Sequence, residues 1–167
     1  GDTICAQINN LSAKEQCGIE LKNLTTRAKV SSTELRCDSI YLKTANSFVR
    51  GDLQFKYDHW EDYQDFINKV YIKGNLIDST YVNFKDIAYF AEDINGFKEE
   101  LRLTGKVRGF VNDLSGSDMN VRYRKSTQFV GDLSIAGLPD FEKSFIHFDA
   151  QKLSTSKNDL EKFPIPP

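Results

Sequence analysis

Glu61, Asp62 and Asp65 place three carboxylates in one short stretch, the material of paired acid–base catalysis. Such a pair needs a cleft and separated pKa values. Here Trp60, Tyr63, Ile67 and Val70 recur at helical spacing, so the carboxylates fall on the wet face of a helix. Glu61 and Asp62 also suit the positive end of its dipole. His59 opens that helix, and His147 alternates with Ile146 and Phe148 on a strand; nothing pairs them as metal ligands. Trp60 and Tyr63 would form a sugar-stacking platform if exposed, but their spacing with Ile67 favours a place in the core. Cys5, Cys17 and Cys37 form no C-x-x-C, and their odd number prevents complete internal pairing. Cys37 alternates with Leu35 and reads as a small buried apolar residue. One bridge, Cys5 to Cys17, is compatible with an oxidising compartment. There is no G-x-S-x-G and no Gly-rich phosphate loop. The expectation is a protein that is not an enzyme, with no cofactor and no metal.

The elements that position these residues are mainly strands, because the dominant period is two. Leu24, Thr26, Ala28 and Val30 share one face. Leu35 and Cys37 alternate, and Ile40 and Leu42 continue on the opposite parity, so a turn or bulge is expected near Asp38-Ser39. Val49, Gly51, Leu53, Phe55 and Tyr57 oppose Arg50, Asp52, Gln54 and Lys56. Leu101, Leu103, Gly105, Val107, Gly109 and Val111 repeat the pattern. Met119, Val121 and Tyr123 follow, then Phe129, Gly131, Leu133 and Ile135, then Ile146, Phe148 and Ala150. One dry and one wet face mark antiparallel sheet. Helical segments are expected over 58–70, with Asp58 as cap, Glu61 three residues on and an Asp65–Lys69 pair. A weaker turn is expected over 86–91, where Ile87, Phe90 and Ala91 are apolar. A third starts at Asn158, with Glu161 as reciprocal cap, and stops at Pro164.

The pattern apolar-x-Gly-x-(Leu or Val) recurs at Gly51, Gly74, Gly105 and Gly131, and Gly109 extends the third copy. Five of the 10 glycines occupy this slot, always on the apolar face. Glycine weakens a strand, so its repeated use needs a reason. A sheet bent toward its dry face crowds that face, and glycine relieves the crowding. Plain bends in a closed barrel or sandwich would use the same residues.

The 167 residues suit one domain, treated as 1–167. A net charge of -2, from 22 basic and 24 acidic residues, argues against nucleic-acid binding. No apolar run is long enough to span a bilayer, and no signal-peptide pattern opens the chain. Gly1-Asp2-Thr3-Ile4 enters mid-pattern and Phe163-Pro164-Ile165-Pro166-Pro167 looks cut, so a segment of a longer protein is expected.

Several stretches resemble TamB and AsmA-like envelope proteins. Glu20-Leu21-Lys22-Asn23-Leu24-Thr25-Thr26 leads into a strand. Ile40-Tyr41-Leu42-Lys43-Thr44-Ala45-Asn46-Ser47-Phe48-Val49-Arg50-Gly51-Asp52-Leu53 is similar to that family's L-x-T-x-x-S-x-I-x-G-x-L signature. Val82 to Phe90, Gly105 to Leu114, Gly131 to Asp140 and Asp159 to Pro167 resemble the Bacteroidetes form. The similarity runs from about Gly18 to the end, without the family's membrane anchor or its far C-terminal domain, as an internal segment would.

The resemblance implies a long antiparallel sheet curled into an open trough with an apolar concave face, all-β with minor α. It implies an anchor in the inner membrane of a Gram-negative bacterium, a periplasmic location and a role in outer-membrane assembly and phospholipid transport. The implied partners are phospholipid acyl chains and an outer-membrane barrel of the Omp85 type, reached through other parts of the protein. The expected groove lining is Val49, Leu53, Phe55, Ile72, Leu76, Leu101, Leu103, Val107, Phe129, Leu133 and Ile135, and Leu103→Asp is the expected block to passage. The rival readings are a secreted β-sandwich that binds carbohydrate or protein, and a spacer with a filled interior.

Overall fold

A computed structural model describes residues 2–14, 18–89 and 94–163. The chain is all-β with minor helix, as its period of two predicts. The strands are β1 (Ile4–Lys14), β2 (Glu20–Val30), β3 (Glu34–Thr44), β4 (Phe48–Lys56), β5 (Tyr71–Leu76), β6 (Tyr81–Asn83), β7 (Glu100–Phe110), β8 (Asp113–Tyr123), β9 (Thr127–Ala136) and β10 (Phe145–Ser154). They form one ten-stranded sheet in the order β1-β2-β3-β4-β5-β7-β8-β9-β10, with short β6 bridging β4 and β7. Every pairing is antiparallel. β1 and β10 are the two edges and do not pair with each other, so the sheet is open.

The slip at Asp38-Ser39 is a bulge: the β3–β4 register shifts between Cys37 and Ile40, and Ser39 has φ 51. β8 repeats the device between Gly116 and Met119, with Asp118 at φ 52. These bulges switch parity, which keeps Leu35, Cys37, Ile40 and Leu42 on one face. The same holds for Leu114, Gly116, Met119 and Val121.

The recurrent glycines serve two purposes, only one of which is the expected relief of crowding. A Cβ at Gly74 would lie 2.8 Å from Val107 Cγ2 and 2.9 Å from Leu53 Cδ2, which is side-chain crowding on the apolar face. Gly51 and Gly131 differ, with φ +138 and +150. A Cβ there would lie 1.9 Å from the Asn75 carbonyl and 2.1 Å from that of Asp149. These positions hold a backbone shape closed to other residues. Gly105 and Gly109 belong with them.

The segment 58–70 is helical, but mostly as a 3₁₀ turn over Trp60–Asp65 that runs into α1 (Phe66–Lys69). Its cap is Asp62, whose carboxylate accepts the N–H groups of Asp58 and His59 at 3.1 and 2.9 Å; the predicted Asp58 and Glu61 do not hold it. Lys69 pairs with Asp62 at 3.6 Å, while Asp65 accepts from Asn68 instead. A 3₁₀ turn places residues three apart above one another, which suits Asp62 as the partner of His59. α2 (Phe84–Ile87) starts earlier than predicted, capped by Asn83; Phe90 and Ala91 lie outside the described residues. α3 (Lys157–Leu160) is capped by Ser156, whose hydroxyl accepts from the Asp159 N–H, in place of Asn158. Pro164 lies outside the described residues. Among the described residues no helix is long and apolar enough to cross a membrane.

Candidate functional site

The register sorts the side chains into two faces. One row crosses from edge to edge as Ile4, Val30, Leu35, Phe55, Ile72, Gly109, Leu114, Ile135 and Ile146. The next is Ala6, Ala28, Cys37, Leu53, Gly74, Val107, Gly116, Leu133 and Phe148. Neither row holds a polar side chain other than the Cys37 thiol. The row between them points the other way: Cys5, Lys29, Arg36, Gln54, Lys73, Arg108, Ser115, Ser134 and His147. The sheet is thus dry on one side and polar on the other. A shallow cavity of about 460 Å³ on the polar side is lined by Arg36, Lys73, Lys106 and Arg108, with Asp38 and Asp52 beside them.

All eleven predicted lining residues fall on the dry face. Leu76 and Phe129 are buried, and the other nine are half-buried. Toward the edges the cover is lost: Ile4 is 67% exposed and Phe148 is 55% exposed. Half-burial over so many apolar residues means that, among the described residues, no second layer covers the whole of this face.

Two aromatic groups cover its ends, and they sort the lining residues further. At one end Phe66 packs on Phe55, with ring centroids 6.0 Å apart, and Tyr63 lies 4.9 Å from Tyr57. The Tyr57 hydroxyl donates to the Ser31 carbonyl at 2.9 Å, and Asn112 donates to Asn68 at 2.7 Å. Phe55 therefore lies under this lid. The Tyr63 hydroxyl is buried with no hydrogen-bond partner, and burial, then the nearby Tyr57 and Cys37, push its pKa up to about 12. Cys37 is buried, as its alternation with Leu35 predicted, and burial raises its thiol pKa too. Trp60 is not core: it is 58% exposed, edge-on to Tyr57. Helical spacing misplaced it because the 3₁₀ turn rotates side chains differently from an α-helix.

At the other end Phe84, Ile94 and Tyr123 form a buried cluster with Ile87, Ala88, Phe97, Leu101 and Phe141 around it. Leu101 packs there. α2 is tied down by Asn46, which donates to Asp86 at 2.9 Å. α3 closes the same end. Asp159, 3% exposed, accepts from the Ser126 N–H at 3.0 Å, Thr127 Oγ1 at 3.1 Å and Arg124 Nε at 3.2 Å. Burial pushes the Asp159 carboxyl up, but these donors together hold it below the usual aspartate range. The Tyr123 hydroxyl donates to the Lys162 carbonyl at 2.7 Å.

The remaining groups stay apart. His59 is at the 3₁₀ turn, His147 is on the polar face of β10, and Glu61 and Asp65 are not hydrogen-bonded to each other. Among the described residues no three His, Cys, Asp or Glu side chains form a group that would hold a metal ion. Cys5 and Cys37 are free thiols, and Cys17 lies outside the described residues. Sequence reasoning missed β1. Its dry side alternates as Ile4, Ala6 and Ile8 and then slips at Asn10, with φ 60, before Leu11; small alanines and the slip hid the period. It also missed the Asp159 clasp, which joins residues more than thirty positions apart. No family model, no curated protein and no solved structure matches the chain.

Proposed function

We propose that the dry face of this open sheet shields phospholipid acyl chains, as a segment of a periplasmic envelope protein serving phospholipid transport and outer-membrane assembly. The observation that carries this reading is the pair of apolar rows that cross nine strands, with the Cys37 thiol as their one polar group and the Phe66 lid over Phe55 at one end. An acyl chain leaving water gains about 0.8 kcal/mol per buried CH₂. A uniform dry track lets that gain stay nearly constant along the path, so that lipid slides rather than sticks. The resemblance to TamB and AsmA-like proteins supports the same reading, and it supplies the expected Omp85-type partner and inner-membrane anchor. Catalytic groups are not needed for such a role.

The test is native mass spectrometry and lipid extraction of the chain expressed in a periplasm. Phospholipid should co-purify, and a folded Leu133→Asp variant should lose most of it, while Ser134→Asp on the polar face keeps it. A chain that takes up no lipid, or a Leu133→Asp protein that carries as much as the parent, overturns the proposal.

A second reading has one observation in its favour. Trp60, exposed, edge-on to Tyr57 and tilted against Tyr63, offers an aromatic surface of the kind that binds carbohydrate or protein. Glycan-array binding that disappears in Trp60→Ala, with lipid absent, would favour it over the groove.

A further inference from the structure

We infer that β10 is a pairing edge for a second copy of this chain, with two β10 strands meeting antiparallel about a two-fold axis between Ala150 and Gln151. This places Phe148 opposite the partner's Leu153 on the dry face and Asp149 opposite the partner's Lys152 on the polar face.

The edge is free. All ten residues of β10 are exposed; Phe148 rests one side on Phe129, at 5.2 Å between centroids, and leaves the rest open. The described chain that follows β10 does not cover it. After Ser154 it turns back toward β8 and β9, where Ser126, Thr127 and Arg124 hold Asp159. Unpaired N–H and C=O groups along such a strand invite another strand.

The direction of pairing follows from the topology. Nine strands lie on the main path and alternate in direction, so β1 and β10 run the same way. With the dry faces kept on one side, a second copy can offer β1 in parallel or β10 in antiparallel orientation. Only the second continues the pattern of this sheet. β1 carries no charge from Ile4 to Ala13, so no ion pair would fix a register there.

The register follows from the bulge. The β9–β10 pairing shifts between Ala150 and Lys152, so Gln151 is an extra residue and parity changes across it. Asp149 and Lys152 therefore share the polar face, while Phe148 and Leu153 share the dry one. Opposed residues must share a face. An axis between Ala150 and Gln151 keeps this over the longest span, from His147 to Ser154. That single register also matches an acidic residue with a basic one and an aromatic with an aliphatic, each twice, and such cross-strand pairs stabilise a sheet.

Sedimentation velocity of the whole chain over a concentration series tests this, without lipid, so its result is independent of the lipid reading. A reversible dimer is expected. Asp149→Lys and Lys152→Asp should each weaken it by about tenfold or more, and the double variant D149K/K152D should restore it. Circular dichroism confirms that each variant is folded. A second measurement avoids charge altogether: in a Cys5→Ser background, F148C/L153C should form a covalent dimer on oxidation. A chain that stays monomeric, single variants that dimerise like the parent, a double variant that does not recover, or no crosslink would each overturn the inference.

Discussion

The backbone N–H of Ser39 donates to the Asp52 carboxylate across the β3–β4 pair at 2.8 Å. The N–H of Asp118 donates to Asp132 in the same way, at 2.9 Å, across β8–β9. Both donors are left-handed bulge residues, and both acceptors follow a glycine of positive φ. The two hairpins thus use one device twice, and it is the device that keeps the dry face continuous past a register slip. Asp52→Ala and Asp132→Ala should each cost about 1 kcal/mol in urea unfolding, because each leaves a bulge N–H without its acceptor. The sites are four strands apart, so the double variant should be additive within about 0.5 kcal/mol. An Asp52→Ala protein as stable as the parent would show that the bulge does not depend on the carboxylate.

Gly131 and Gly74 separate the two uses of glycine. Gly131→Ala forces a Cβ onto the Asp149 carbonyl at a φ of +150, so backbone must move. A loss of about 3 kcal/mol or more is expected in equilibrium unfolding. Gly74→Ala meets only the ends of Val107 and Leu53, which can give way. About 1–2 kcal/mol is expected there. Equal losses at the two positions would contradict the assignment of Gly131 to backbone shape and Gly74 to packing.

Most strands were legible in the sequence because they alternate over a full strand length; β1, broken by its slip at Asn10, was not, and one dry face per strand did not by itself separate an open sheet from a closed one. Even the bulge at Ser39 was visible, as a change of parity between Cys37 and Ile40. The residues of the dry face were legible for the same reason, since a period of two assigns a face without knowledge of the partner strand. What covers that face was not. Trp60 obeys helical spacing yet lies outside, because 3₁₀ and α geometry differ by more than the pattern records. Asp159 shows no local sign of its role: its partners are Arg124, Ser126 and Thr127, brought near only when α3 folds back. Gly51 and Gly74 occupy the same slot, and only the backbone angle tells them apart.

Tyr63 tests the lid over β3 and β4. Its hydroxyl is buried without a partner, so removing the oxygen removes an unmet cost. Tyr63→Phe should be neutral or stabilise by up to about 1 kcal/mol, and Tyr63→Ala should cost about 3 kcal/mol through the cavity left beside Tyr57. Burial raises the Tyr63 pKa to about 12, so the folded state favours the neutral phenol. That contribution to stability is whole below the ordinary tyrosine value near ~10 and is lost as pH rises through it toward the raised one. Ultraviolet difference titration should show a late tyrosine step that disappears in Tyr63→Phe. If the step survives that substitution, another tyrosine carries it and the lid is looser than described.

Asp159 gives the opposite pH dependence at the other end of the groove. Its buried carboxylate is held charged by Ser126, Thr127 and Arg124, and its pKa is lowered despite the opposing effect of burial. A lowered folded-state pKa stabilises above the unfolded value of about 3.9, and this contribution is lost as pH falls toward the depressed one. Asp159→Asn keeps the shape of the side chain and removes its charge. The amide nitrogen has no lone pair for a donor, so either the Ser126 N–H and Thr127 hydroxyl or Arg124 must lose its acceptor. Thermal melts at neutral pH should show a lower Tm for Asp159→Asn than for the parent. The gap should close below about pH 4, where the parent carboxyl itself takes up a proton. Hydrogen exchange should locate the loss at the Ser126 amide and across α3, with β3 and β4 unchanged. A gap of the same size at every pH would mean that Asp159 acts through shape alone.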